Sequence, residues 1–200
     1  MSGLTKQAAC LTDNQLRNAI ARTNDYRNRL RNKAIVELTA LAGLRAVEVS
    51  RLRWSMLLSE DNAVSETIRL TNAASKGKSG GLVPVNRELK ATLTELLNSV
   101  KTESFDRDSN VIVSERGCAL QRQSIVNLLR NHYKKCDIAG ASSHSGRKFF
   151  ITNAARSISL VGGSIKDIQA LARHANLQNT QRYIEQNTEA QKQVVEMLLK

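Results

Sequence analysis

Apolar residues recur at helical spacing through most of the chain, and only one short region alternates like a strand. Thr12-Asp13-Asn14-Gln15 has the form of a capping box and predicts a helix that turns Leu16 and Ile20 inward. A turn follows at Thr23-Asn24-Asp25. From Arg27 the positions Leu30, Ala34, Ile35, Leu38, Leu41 and Ala42 keep a period near 3.6, and Gly43 ends them as a C-terminal cap. A second short helix carries Val47, Val49 and Leu52, so Arg45 falls at a junction whose backbone is held on both sides. Residues 66–71 and 82–85 read as two strands of a hairpin, joined by a loop over 72–81 whose glycines, serines and lysines give it a cationic tip. An amphipathic helix over 88–100 turns Leu89, Leu93, Leu96 and Leu97 inward. A polar loop over 102–110 leads to strand-like Val111-Ile112-Val113. Helical patterns return over 123–136 (Ile125, Leu128, Leu129 inward) and 149–155. Residues 157–163 read as a loop, and Ser164 with Asp167 caps a helix bearing Ile168 and Leu171. A last helix over 188–199 carries Val194, Val195, Leu198 and Leu199. The fold class is mostly α with a small antiparallel β hairpin (α+β), in a single domain over 1–200.

Composition adds the partner. In 200 residues, 41% hydrophobic and 24% charged, there is room for one domain with a real core. No eighteen-residue apolar run and no charged-then-apolar leader occurs, so the expectation is a cytoplasmic protein without a membrane span. Cys10, Cys118 and Cys136 are widely spaced and form no Cys-x-x-Cys pair, which suits a reducing compartment and small buried hydrophobes better than a disulfide or zinc site. The net charge of +12 is spread along the chain and calls for an anionic partner. Aromatic residues make up only 4%, too few for single-strand stacking platforms, so duplex DNA gripped through its phosphates leads. Gly77-Lys78-Ser79 imitates the end of a phosphate-binding P-loop. That motif needs a glycine where Asn72 stands and a helix where Pro84 stands, so a nucleotide triphosphatase is rejected.

The scarce polar chemistry concentrates between His144 and Tyr183. Two of the three histidines lie there, each close to an arginine: His144 with Arg147, His174 with Arg173. Taken singly, each group has a plainer reading. Tyr183, like Tyr26 and Tyr133, would be a helix residue with a half-buried ring and a wet hydroxyl. The arginines would be surface charges, and His132 reads as a surface residue. Arg45, Lys76, His144, Arg147, His174 and Tyr183 remain as a set to be explained together.

Those residues carry a resemblance to the catalytic domain of the tyrosine recombinases, the phage integrase family. Gly43-Leu44-Arg45-Ala46-Val47-Glu48 resembles the family's first arginine box. Lys76-Gly77 through Val83-Pro84 resembles its hairpin lysine motif, and His144 to Arg147 its His-x-x-Arg box. His174 and Tyr183, nine residues apart, resemble its second histidine and nucleophilic tyrosine. The order holds over nearly the whole chain. Arg173 stands where the family usually has glycine, Lys148 where it commonly has histidine, and the chain is slightly longer around 160–164.

The resemblance implies site-specific recombination of duplex DNA through a 3′-phosphotyrosyl intermediate, with the catalytic-domain fold of that family. It implies Tyr183 as nucleophile, Arg45 and Arg147 holding the phosphate, and His144 and His174 handling a proton and a hydrogen bond. It further implies Lys76 as the proton donor to the leaving 5′ oxygen, with Lys78 its rival in the same loop. Glu48 would orient the site, and Lys78, Lys148 and Arg173 would touch DNA. No cofactor, metal or ATP is called for. The implied partners are duplex DNA, further copies of this chain in a tetramer on DNA, and accessory DNA-bending proteins. The helix over 188–200 would dock on a neighbouring protomer. The expectation is that the family's N-terminal arm domain is absent, as in an excised domain or a short family member. A non-catalytic DNA-binding module and a type IB topoisomerase are the alternatives.

Overall fold

The computed structural model describes residues 8–75, 79–102, 104–183 and 195–196. The helices are α1 (Asp13–Ala21), α2 (Arg29–Ala40), α3 (Ala46–Ser50), α4 (Arg87–Val100), α5 (Arg122–Lys135), α6 (Ser145–Ser157), α7 (Ile165–Ala172) and α8 (Leu177–Gln181). Strands β1 (Thr67–Leu70) and β2 (Gly81–Pro84) lie between α3 and α4, and short 3-10 turns cover Arg22–Asp25, Trp54–Met56 and Ile158–Val161.

α2 is the axle. Its residues from Ala34 through Ala40 are all buried, and α1, α3, α4, α5 and α6 all pack against it. A helix buried on every side needs small and branched side chains, and Ala34, Ile35, Val36 and Leu38 supply them. α6 approaches it closely. A Cβ on Gly146 would meet Thr39 Oγ1 at 2.5 Å, so glycine there lets α6 lie directly on α2. The capping box at Thr12 forms as the sequence predicts: Gln15 N–H donates to Thr12 Oγ1 (3.2 Å) and Thr12 N–H to Gln15 Oε1 (2.9 Å). The hairpin is antiparallel, with Ile68 opposite Val83, both buried. Its loop is held on both sides of the turn, where Gly80 N–H donates to Asn72 Oδ1 (3.1 Å) and Arg51 Nη1 to Ala73 O (3.2 Å).

Five expectations change. Val111-Ile112-Val113 is buried at its first two positions, but no ladder forms there. Isolated bridges join Arg53 to Asn110 and Val113 to Ala119, because the run pairs first with residues 52–54 and then with residues 118–120, too briefly with either to build a ladder. α6 begins at Ser145, four residues ahead of its apolar run, since burial of Ser145, Gly146 and Arg147 against other elements extends the helix where hydropathy is silent. The segment read as a loop holds a 3-10 turn, Ile158–Val161, with Leu160 and Val161 exposed. His132 is not a surface residue: it is 3% exposed, Nε2 lies 2.8 Å from Ala19 O and Nδ1 3.0 Å from the Tyr26 hydroxyl. The carbonyl can only accept, so Nε2 carries the proton and Nδ1 takes the tyrosine's. Burial lowers the His132 pKa, in keeping with that neutral ring. Tyr133 is fully buried too, so its hydroxyl is not wet. Of the last predicted helix, residues 188–199, only Val195 and Glu196 fall within the described residues, both helical and exposed.

Candidate active site

Arg45 stands between α2 and α3 because Gly43 turns the chain with φ +62°. A Cβ there would lie 2.4 Å from the Phe150 ring, so both the backbone and α6 exclude a side chain. Arg45 is the N-cap of α3, extended at φ −79° and ψ 153°. Its N–H donates to Glu48 Oε2 and its Nη1 to Glu48 Oε1, each at 2.8 Å. About a fifth of the Arg45 side chain (21%) stays in solvent, enough to meet a ligand, while Glu48 has none of its surface exposed.

His144 and Arg147 come from the start of α6. A turn fixes the approach: Ser142 N–H donates to Ser145 Oγ (2.9 Å) and His144 N–H to Ser142 Oγ (3.2 Å). His144 is exposed. Arg147, three residues on, points inward and donates Nη1 to Gly43 O and Nη2 to Ala172 O. One guanidinium therefore joins the turn before α3 to the end of α7. Burial, then the neighbouring Arg45 and Arg173, push its pKa down to about 9, which leaves it cationic at neutral pH.

α7 ends in a left-handed turn at Arg173 (φ 51°, ψ 48°), and that turn presents His174. Its main chain is held by His174 N–H to Gln169 O (3.1 Å) and Gln169 Nε2 to His174 O (3.0 Å). Its Nδ1 lies 3.0 Å from Thr180 Oγ1 of α8. Burial first, then Arg147, Arg45 and Arg173, bring its pKa down to about 4, so the ring is neutral at pH 7. Tyr183 follows α8, its N–H bonded to Thr180 O (3.0 Å). Its ring packs on a small cluster of Ile151, Ile168 and Ala172, and its centroid is 6.0 Å from that of His174 at 27° between planes.

Arg45, His144, Arg147, His174 and Tyr183 thus line one open cleft of about 700 Å³. Lys148 and Arg182 add two further cations to its wall, and among the described residues no carboxylate lines it. Lys148 also donates to Ala8 O (3.2 Å). Lys76 and Lys78 lie outside the described residues. Arg173, expected to face DNA, does not: it is 8% exposed and its Nη2 donates to Glu48 Oε2 at 2.7 Å, because the left-handed turn points its side chain into the buried carboxylate. Sequence reasoning missed Thr180, the partner of His174, and Gly146, whose missing Cβ seats α6. The sequence offered no signal for the second, because the apolar pattern of α6 starts at Phe149, three residues past Gly146. Among the described residues, no group of three or more His, Cys, Asp or Glu is placed to hold a metal, and no helix is long and apolar enough to cross a membrane.

The family model described as the phage integrase family matches residues 9–190. A curated relative, tyrosine recombinase XerC of Myxococcus xanthus, is 33% identical over 175 residues, covering 82% of this chain and 53% of that protein. The chain spans about half the length of the curated relatives it matches. Among solved structures, XerA recombinase superposes with a TM-score of 0.72 at 22% identity, covering 97% of this chain and 64% of the other. The Tn1549 transposon integrase in complex with transposon right end DNA gives 0.74 at 17% identity, covering 100% of this chain and 69% of the other. The matched region runs through every box from Arg45 to Tyr183, and the chain belongs to the phage integrase family, as a tyrosine recombinase catalytic domain.

Proposed function

We propose that this chain cuts and rejoins duplex DNA in site-specific recombination, with Tyr183 as the nucleophile. The observation that carries the reading is convergence. Five polar groups from four separate segments of the chain meet in a single cleft lined by cations and, among the described residues, free of carboxylates, which suits a phosphodiester. Arg45 and Arg147, both cationic at neutral pH, hold the non-bridging oxygens, where negative charge grows as the phosphorus is attacked. The Tyr183 oxygen forms a bond to phosphorus while the bond to the 5′ oxygen breaks. His144, exposed at the cleft, takes the phenol proton, and the neutral His174 hydrogen-bonds a phosphate oxygen. Lys76, in the hairpin loop, supplies the proton that the leaving 5′ oxygen needs. The product is a 3′-phosphotyrosyl link, which another 5′ hydroxyl can reopen without ATP.

The solved integrase relative is bound to transposon DNA, which supports a duplex partner. The tetramer of chains on DNA and accessory bending proteins belong to the same proposal, as do the docking of residues 188–200 on a neighbour and DNA contact by Lys78 and Lys148. The relatives are recombinases and integrases, so they favour neither a non-catalytic binding module nor a type IB topoisomerase. The test is covalent trapping on nicked duplexes taken from the DNA flanking the gene. The parent chain should form a denaturation-resistant adduct, and Tyr183→Phe should form none while its duplex affinity stays within about twofold, since only one hydroxyl is removed. An adduct that persists in Tyr183→Phe, or none from the parent at saturating duplex, would overturn the assignment.

A further inference from the structure

Arg173 occupies a position that backbone physics assigns to glycine. At φ 51° and ψ 48° an L side chain crowds its own carbonyl, a strain that glycine escapes. The side chain that tolerates this strain is then buried, which a guanidinium resists unless it finds an acceptor. It finds one. Nη2 donates to Glu48 Oε2 at 2.7 Å, while Nε and Nη1 are buried without an acceptor among the described residues, so nothing else there directs its placement.

Glu48 in turn holds Arg45 twice, through the Arg45 N–H and through Nη1. That grip has a drawback: a carboxylate bonded to a phosphate-binding arginine cancels its charge. With Arg45 and Arg147 alone around Glu48, one net positive charge would remain. With Arg173 there are two. Attack by a phenolate on a phosphodiester gathers two negative charges on the phosphorane, so the third guanidinium restores the balance that Glu48 removes.

We propose that Arg173 is a positioning residue for strand cleavage: it clamps Glu48 so that Arg45 is fixed toward the phosphate, and it returns the positive charge that Glu48 cancels. The inference rests on the strand-cleavage reading above. Arg173 is absent from the cleft lining, so it acts through Glu48 and Arg45 and does not touch DNA. The clamp also couples two turns distant in sequence, the one before α3 that presents Arg45 and the one after α7 that presents His174. The Arg173 charge is among those that keep the His174 ring neutral, after burial, Arg147 and Arg45.

The experiment compares the parent chain with Arg173→Gly and Arg173→Lys. Glycine suits the left-handed turn, so the backbone gains ease while the clamp is lost. At saturating nicked duplex, adduct formation by Arg173→Gly should slow by about 10–100-fold, the range for lost partners behind a catalytic group. Its duplex Kd should stay within about threefold, because no DNA contact is removed. Arg173→Lys, which keeps the charge without the fork, should recover part of the rate. The His174 imidazole, followed by NMR, should titrate at higher pH in Arg173→Gly, since a nearby cation has gone. A folded Arg173→Gly with parental rate overturns the clamp while leaving strand cleavage standing. If Arg173→Gly does not fold, Arg173→Lys decides, and a parental rate there overturns the clamp equally. A parent chain that forms no adduct overturns the strand-cleavage reading and this one with it.

Discussion

Replacing Glu48 by glutamine probes the electrostatic frame of the site without changing its shape. Oε2 accepts from the Arg45 N–H at 2.8 Å and from Arg173 Nη2 at 2.7 Å, and Oε1 accepts from Arg45 Nη1 at 2.8 Å. An amide brings one acceptor oxygen and two donors. With its oxygen at the Oε2 place, the NH2 group faces Arg45 Nη1, and one contact becomes donor against donor. Flipped, two do. The charge that offsets two guanidiniums vanishes as well. Breaking a buried ion pair from one side costs about 3–5 kcal/mol. Arg45 keeps about a fifth of its side chain in solvent (21%) and can be partly rehydrated, which argues for the lower end, about 3 kcal/mol. In a chain of this length that is a fall in Tm of about 6–12 °C. Trp54, the sole tryptophan, is 1% exposed and reports the transition by fluorescence during urea unfolding of DNA-free protein. The pH dependence has a definite sign. Burial alone would raise the Glu48 pKa, but Arg173 and then the Arg45 contacts outweigh it and hold the carboxyl below its ordinary value of 4.5. A depressed carboxyl stabilises the fold fully above its unfolded pKa and loses that contribution as pH falls through the folded one. The gap between parent and variant should therefore stay level from about pH 5 to 8 and close only in stronger acid. Because Glu48 and Arg173 share one contact, Glu48→Gln and Arg173→Gly combined should destabilise by at least about 1 kcal/mol less than their separate effects added. A loss below about 1 kcal/mol for Glu48→Gln at pH 7, or strict additivity, would refute the buried triad of charges.

Two other perturbations read separate parts of the frame. Gly43→Ala forces a Cβ onto a left-handed backbone and to within 2.4 Å of the Phe150 ring, so unfolding in urea should show a loss of about 3 kcal/mol. The same change displaces the carbonyl that receives Arg147, and a variant of parental stability would mean that the turn is more yielding than it looks. Glu37, wholly buried on α2 with Lys33 Nζ 3.8 Å away, has its pKa pushed up to about 7 by burial, against the weaker opposing pull of Thr92 and Lys33. A raised carboxyl contributes stability below its ordinary value of 4.5 and loses it as pH climbs through about 7, a swing of about 3 kcal/mol. Glutamine mimics the protonated form, so Glu37→Gln should flatten the stability profile between about pH 5 and 8, and parallel profiles would rule the burial argument out.

What the sequence by itself determined was periodic or local. Helix positions followed from apolar spacing, as with α4 and its Leu89, Leu93, Leu96 and Leu97. Caps followed from short-range chemistry, as at Thr12 with Gln15 and Ser164 with Asp167. The order of the polar boxes, from Arg45 to Tyr183, was legible because each box is short and its residues act from neighbouring turns. Only the tertiary structure decided where side chains of opposite preference would point. Arg173 looked like a DNA contact because arginine usually seeks water, yet a carboxylate 125 residues earlier in the chain draws it inward. His132 looked like a surface histidine, yet Ala19 O and Tyr26, more than a hundred residues away, satisfy both its nitrogens in the core. Thr180 gave no signal at all until α8 folded back to His174. Burial of a polar group depends on whether a distant partner can replace its water. No local pattern encodes the distance between segments that meet only when the core has formed.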